Sequence, residues 1–308
     1  MGRYVMRRLL QLIPVFFGTT FLIYYLVWAV PGDPFAGKCG DRRCPDSYIR
    51  FMTEKFNLDK PIFVQYVTYL KNLLQGDFGQ TYGGRSINDV IGQAYPNTIK
   101  LAIVALAIEA IIGLTAGVLT GLRRNGFLDN LVLVSTLFLI ALPTFVTGFV
   151  LQYLFGVQWA IVRPTVSNPP TFTQLILPGF VLGSVSMAYI ARLARTSIAE
   201  NRRADYVRTA IAKGLPMRRV VGVHLLRNSL IPVVTYLGTD LGALMGGAIV
   251  TEGIFGINGI GRETYRAIIT KEGATVVSIV VILVLVYMLM NLVVDLLYAA
   301  LDPRIRYD

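Results

Sequence analysis

The chain carries apolar blocks long enough to cross a lipid bilayer, and no other feature limits its fold so severely. A bilayer core of roughly 30 Å requires about 20 apolar residues in helical form. Segments 9–30, 99–122, 131–155 and 276–301 meet that length outright. Segments 175–193 and 230–250 are shorter or richer in glycine but still adequate, giving six expected spans. Composition agrees: only 15% of the residues are charged, against about a quarter in soluble domains. The expected fold class is therefore an all-α polytopic membrane protein.

The net charge of +11 could suggest nucleic acid, but in a membrane protein it reports orientation, because cytoplasmic loops collect Lys and Arg. With the N-terminus inside, the inner segments are 1–8, 122–130, 192–230 and 302–308. They hold 16 basic residues against five acids, Asp129, Glu200, Asp205, Asp302 and Asp308. The outer segments hold 13 basic residues against ten acids. Glu109, Asp240 and Asp295 lie within the spans. This split predicts both termini in the cytoplasm. Arg3, Arg7 and Arg8 before an apolar run resemble a secretory signal. The run is longer than a signal core, however, and Pro31-Gly32-Asp33-Pro34 follows it without a small-x-small cleavage site, so a retained first helix is expected.

Four regions follow: an N-terminal span at 1–30, an extracytoplasmic cap segment at 31–97, a five-helix core at 98–301 and a cytoplasmic tail at 302–308. Gly76, Gly79, Gly83 and Gly84 mark turns in the cap. Cys39 and Cys44, the only cysteines, both fall in it. They are expected to form a disulfide in an oxidising compartment, with two free thiols as the alternative. Metal binding would need more ligands, and the lone His224 lies on the other side of the membrane. Gly113, Gly117 and Gly121, and again Gly238, Gly242 and Gly246, repeat every four residues. Each set lies on one helix face where another backbone can approach, from this chain or from a partner subunit.

Two connections are long, the cytoplasmic 195–230 and the outer 253–273, and long connections tend to carry function. In the first, Ala204-Asp205-Tyr206-Val207-Arg208-Thr209-Ala210-Ile211-Ala212-Lys213-Gly214-Leu215-Pro216 reads as a short helix with explicit ends. Asp205 and Lys213 suit the helix dipole, Gly214 can close the C-terminus and Pro216 prevents continuation. Ala204, Val207 and Ile211 should share one face. Such a helix could be a rigid element driven by a cytoplasmic partner, or an interfacial helix resting on anionic headgroups.

At this point the sequence resembles the permease subunits of binding-protein-dependent ABC importers, and more narrowly the B-type subunits of dipeptide and oligopeptide systems. The resemblance rests on Asp205-Tyr206-Val207-Arg208-Thr209-Ala210, Ala212-Lys213-Gly214-Leu215, His224 and Leu226-Arg227-Asn228-Ser229-Leu230-Ile231-Pro232. It extends to Pro31-Gly32-Asp33-Pro34, Val64-Gln65-Tyr66, Gly76-Asp77-Phe78-Gly79, Thr251-Glu252-Gly253-Ile254-Phe255 and Leu301-Asp302-Pro303-Arg304. The broader permease motif has Glu-Ala-Ala where this chain has Arg208-Thr209-Ala210, so no acidic docking group is assumed there. The resemblance implies a type I importer permease fold, a homologous second permease, two ATPase subunits and an extracytoplasmic substrate-binding protein. The loop from Asp205 to Leu215 would dock on the ATPase. The chain has no Gly-x-x-x-x-Gly-Lys-Ser/Thr phosphate loop, so ATP and Mg would be held by the partners and no enzyme activity is expected here. Relatives of this architecture import dipeptides, longer peptides, glutathione or nickel complexes.

Intramembrane carboxylates usually face a cavity or a partner, so Asp240 is assigned to the pathway or the permease interface, where it could receive a peptide's ammonium group. Glu109 could share that role or pair locally, and Asp295, near the inner end of its span, could simply reach interfacial water. Glu252, Gly253, Gly256, Gly259 and Gly261 form a glycine-rich turn that could line an outer gate or simply turn the chain. Arg192, Arg195, Arg202 and Arg203 read as topology and headgroup contacts, not a nucleic-acid surface. An ion-coupled transporter using Glu109 and Asp240 as relay groups is the main rival. An intramembrane enzyme is weaker, because His224 lies far from Ser184 and Ser186 and there is no His-Glu-x-x-His pair.

Overall fold

The structure, a computed structural model, describes residues 2–29 and 44–301. Pro31-Gly32-Asp33-Pro34, Cys39 and the tail from Asp302 lie outside the described residues. Those described are helical apart from turns, an irregular stretch at 159–175 and one isolated bridge between Gln80 and Ser86. In chain order the helices are α1 (Gly2–Trp28), α2 (Asp46–Lys55), α3 (Ile62–Leu74), α4 (Ile87–Leu122), α5 (Phe127–Ala141), α6 (Thr144–Leu151) and α7 (Ile176–Asn201). There follow α8 (Asp205–Ala212), α9 (Met217–Arg219), α10 (Leu226–Ser229), α11 (Ile231–Met245), α12 (Ile249–Phe255), α13 (Ile260–Ile269) and α14 (Gly273–Leu301).

Four helices, α1, α4, α7 and α14, are each long and apolar enough to cross a membrane, and two bent pairs bring the number to six. The third expected span, 131–155, is not straight: α5 and α6 meet at 103°. Pro143 has no N–H to continue the α5 ladder and drives Leu142 into an extended conformation, φ −86° and ψ 129°. The fifth, 230–250, ends as a helix at Met245, because Gly247 takes φ +96° and turns the chain before α12. On its other side it bends by 45° from the stretch Met217–Ser229, at Leu230 next to Pro232. Two spans are longer than their apolar blocks. α4 begins at Ile87, inside the expected cap, and α7 continues to Asn201, inside the expected loop. Ile87, Val90, Ile91 and Ala94 bury one face of that extra α4 length, so it is amphipathic and carries no spanning signal.

Helices α4 and α7 form the central seam. A Cβ on Gly117 would stand 2.6 Å from both the Ala191 carbonyl oxygen and the Ala194 Cβ, and one on Gly113 would fall 2.8 Å from Ile190. The first glycine ladder therefore serves packing within the chain. The second does the same at Gly238, against Val294, and at Gly242, against Met290, whereas Gly246 meets only its own turn.

The cap is tied down by the motif residues. Gln65 and Tyr66 of α3 are buried on α1: Thr20 Oγ1 and the Tyr66 hydroxyl lie 2.7 Å apart, and Tyr24 donates to Gln65 Oε1. Asp77 Oδ1 accepts the Gly79 N–H at 2.8 Å, and the Phe78 carbonyl accepts from Ser278 of α14 at 2.7 Å. Cys44, with Met52, seeds a small cap core and is disulfide-bonded; the expected partner Cys39 lies outside the described residues.

The ends of the bundle are set by two contacts. Arg8 of α1 and Asp295 of α14 lie 3.3 Å apart at one end, so Asp295 meets a cation rather than only interfacial water. At the other end Gly273 abuts Val27 and Trp28. The segments continuing from α1 and α14 toward the two termini thus start from the same end.

Candidate functional site

The end of the bundle that holds Arg8 also holds α8. Its underside, Val207 and Ala210, is buried in one cluster with Val118 and Leu122 of α4, Ile198 of α7 and Leu225. Ile211, expected on that face, is instead exposed, because burial here follows an i, i+3 pair. The opposite surface is open: the side chains of Asp205 and Arg208 are 97% and 71% exposed. Tyr206 is exposed too and donates to Asn201 Oδ1 at 2.7 Å. The C-terminus closes as the sequence predicts. Gly214, at φ +74°, donates to the Ile211 carbonyl and Leu215 donates to the Ala210 carbonyl, the paired bonds of a Schellman cap. A capped, two-turn element thus rests on the ends of α4 and α7 and presents polar side chains outward.

Beside it the turn between α4 and α5 is clamped. Arg195, read from sequence as a headgroup contact, is largely buried and grips Asp129 with both Nε and Nη2, the latter at 2.8 Å. Asp129 Oδ2 also accepts the Asn125 N–H, and Arg202 donates to the Leu122 carbonyl. The only sequence sign of this pair was an acid at the start of an apolar run. Arg192 and Arg203 are exposed.

Midway through the bundle the two intramembrane carboxylates are brought together. Glu109 of α4 is completely buried and interacts with Asp240 of α11. Ser186 of α7 donates to Asp240 Oδ1 at 3.1 Å, and the Tyr236 hydroxyl donates to Ser186 Oγ at 3.4 Å. Ser184 donates instead to the Val181 carbonyl. Sequence reading singled out the two acids but not the Ser186–Tyr236 relay, whose members lie 50 residues apart.

At the opposite end, the glycine-rich turn wraps a carboxylate. Glu252 is fully buried; its Oε1 accepts from Thr98 Oγ1 at 2.7 Å and its Oε2 accepts the Arg262 N–H at 2.8 Å. Thr98 in turn accepts the Ile260 N–H at 2.8 Å, so one hydroxyl links α4, α12 and α13. Asn97 adds a bond to the Asn258 carbonyl. A Cβ on Gly259 would overlap the Glu252 carboxyl, and one on Gly261 would press on it at 3.0 Å. Gly256 turns the chain after α12 at φ +68°, whereas Gly253 has open space around it. Burial raises the Glu252 pKa above the carboxylate range, only partly offset by these donors. Glu252 is therefore a latch holding the turn's shape. Its partner Thr98, and Asn97, which holds the same turn through the Asn258 carbonyl, are polar residues opening an apolar run and were missed.

Comparison with known proteins supplies the family. Residues 113–307 match the family described as binding-protein-dependent transport system inner membrane component. The chain belongs to this family. Residues 1–108 match its companion N-terminal family, and the boundary between the two matches falls inside the continuous helix α4. Among relatives, the oligopeptide transport system permease protein OppB of Haemophilus influenzae is 34% identical over 309 residues, covering 100% of both chains. The di/tripeptide transport system permease protein DppB of Pseudomonas aeruginosa is 36% identical, covering 99% of each. The dipeptide transport system permease protein DppB of Alkalihalophilus pseudofirmus is 35% identical over the same share. Membership of the family agrees with a multi-pass, all-α membrane protein.

Proposed function

We propose that this chain is one of two homologous permease subunits of an ATP-driven importer that moves peptides into the cytoplasm by alternating access. The observation that carries the reading is α8: an exposed helix with a closed C-terminal cap, its underside packed onto α4 and α7. A push on that helix reaches both central spans without an intervening flexible loop. Full-length relatives named as peptide permeases supply the cargo class.

In this reading Asp205, Tyr206, Val207, Arg208, Thr209, Ala210, Ala212, Lys213, Gly214 and Leu215 form the coupling element. Two ATPase subunits receive it and hold ATP and Mg. An extracytoplasmic binding protein meets the cap and the 253–273 segment. Glu252, Gly253, Gly256, Gly259 and Gly261 shape the outer gate. Glu109 and Asp240 face the pathway or the second permease, the cap is pinned by a Cys39–Cys44 disulfide, and both termini lie in the cytoplasm of a bacterial cell.

The test is uptake of a labelled dipeptide or oligopeptide into vesicles holding the complete complex. Uptake is expected to require both ATP and the binding protein and to survive collapse of the proton gradient. Uptake driven by an ion gradient without ATP would overturn the reading.

A further inference from the structure

The carboxyl pair in the bundle is unfinished by the chain that builds it. Glu109 is 0% exposed and its carboxyl lies within hydrogen-bonding reach of the Asp240 carboxyl; beyond that mutual contact, neither Glu109 oxygen nor Asp240 Oδ2 has a hydrogen-bond partner. Among the described residues, no cationic side chain pairs with either acid. Space is reserved for the carboxyl: a Cβ on Gly183 would stand 3.3 Å from Glu109 Oε2. The donors that do exist run in one direction, from Tyr236 to Ser186 to Asp240 Oδ1, and none of them reaches Oδ2. Asp240 is only half-buried. Beside it Tyr236 stacks on Tyr189, ring centroids 6.2 Å apart, and Tyr189 is 52% exposed. Two ionised carboxylates buried side by side are costly; a shared proton relieves that cost, and a cation from outside the chain can take the proton's place.

We propose that Glu109, Asp240 and Ser186, with the Tyr189–Tyr236 stack, form a transient binding site for a primary ammonium group, and that its occupant is the free N-terminus of a peptide in transit. The inference rests on the peptide-importer reading. An ammonium group offers three donors and no acceptor, matching the acceptor oxygens of the two carboxyl groups, and the aromatic stack offers it a negative π-face. The amino terminus is also the one cationic group shared by peptides of varied sequence. A site that reads it alone can pass many cargoes.

The experiment uses the complete complex purified in detergent, without the binding protein. Its probe is a fluorescent dipeptide with a free N-terminus, set against the N-acetylated form of the same dipeptide. Asp240→Asn and Glu109→Gln are each expected to weaken binding of the free-amine probe about ten- to a hundredfold, the range for losing a hydrogen bond to a charged group. Asp240→Glu should restore most of the affinity, and the acetylated probe should not compete. Equal competition by the acetylated probe, or wild-type affinity in both variants, would overturn the proposal. So would loss of the second permease from the Asp240→Asn complex, which would assign the missing cation to that subunit. Uptake by the wild-type complex in vesicles separates the two levels: peptide uptake with unchanged variants defeats only this site, whereas no peptide uptake at all defeats the importer reading.

Discussion

Glu252 shows how much a single side chain holds. It joins α12 to α4 through Thr98 and to the start of α13 through the Arg262 N–H, and burial keeps its pKa above the carboxylate range. The linkage sign follows directly: a raised folded-state pKa means the native protein binds the proton more tightly. The associated stability is fully present below the unfolded value of about 4.3 and is lost as pH rises through the folded value. In Glu252→Gln that loss should be absent. Thermal unfolding across this range should therefore show the wild type's advantage over the variant shrinking as pH rises. A constant difference would contradict the assignment. None of this was legible in sequence, where Glu252 sits among glycines that suggest an open gate. Its main partner lies 154 residues away, and no local pattern reports such a pairing. The Asp129–Arg195 pair, 66 residues apart, was hidden for the same reason.

Among the elements, the spans were readable because an apolar block of membrane length has few alternatives. Their interruptions were less so. Pro143 stands in plain view, but apolar residues on both sides conceal a bend of 103°, since hydropathy carries no direction. The glycine ladders left partner or self-packing open, and the structure resolves Gly113, Gly117 and Gly121 against α7. Gly117→Ala should lower stability by about 1–3 kcal/mol through overpacking, seen as a reduced Tm in detergent. Gly92 is the control on the same helix, with nothing within 4 Å of its added Cβ. Gly92→Ala should leave Tm unchanged or raise it by the equivalent of about 0.5–1 kcal/mol.

At the scale of the whole molecule, charge counting gave a direction that the fold makes testable. The α8 end and the cap end are opposite faces of one bundle, so their accessibilities must differ together. In intact cells a membrane-impermeant thiol reagent should label Cys39 and Cys44 only after reduction. A cysteine at Ala212, in a background lacking both natural ones, should react only after permeabilisation. Labelling of Ala212→Cys in intact cells would invert the topology.

The route of α4 has a mechanical consequence. From Thr98, in the outer latch, to Leu122, over α8, it runs without a proline for ~36 Å at 1.5 Å per residue. Backed from Gly113 to Gly121, about two turns, by α7 at glycine-close range, it behaves as a stiff beam. A tilt of about 10° shifts its two ends sideways relative to each other by about 6 Å, given that length. Thr98, Asn97 and the turn they hold would travel with it. Movement at the α8 end would thus be felt at the latch as a rigid tilt, with no bond inside the beam having to break.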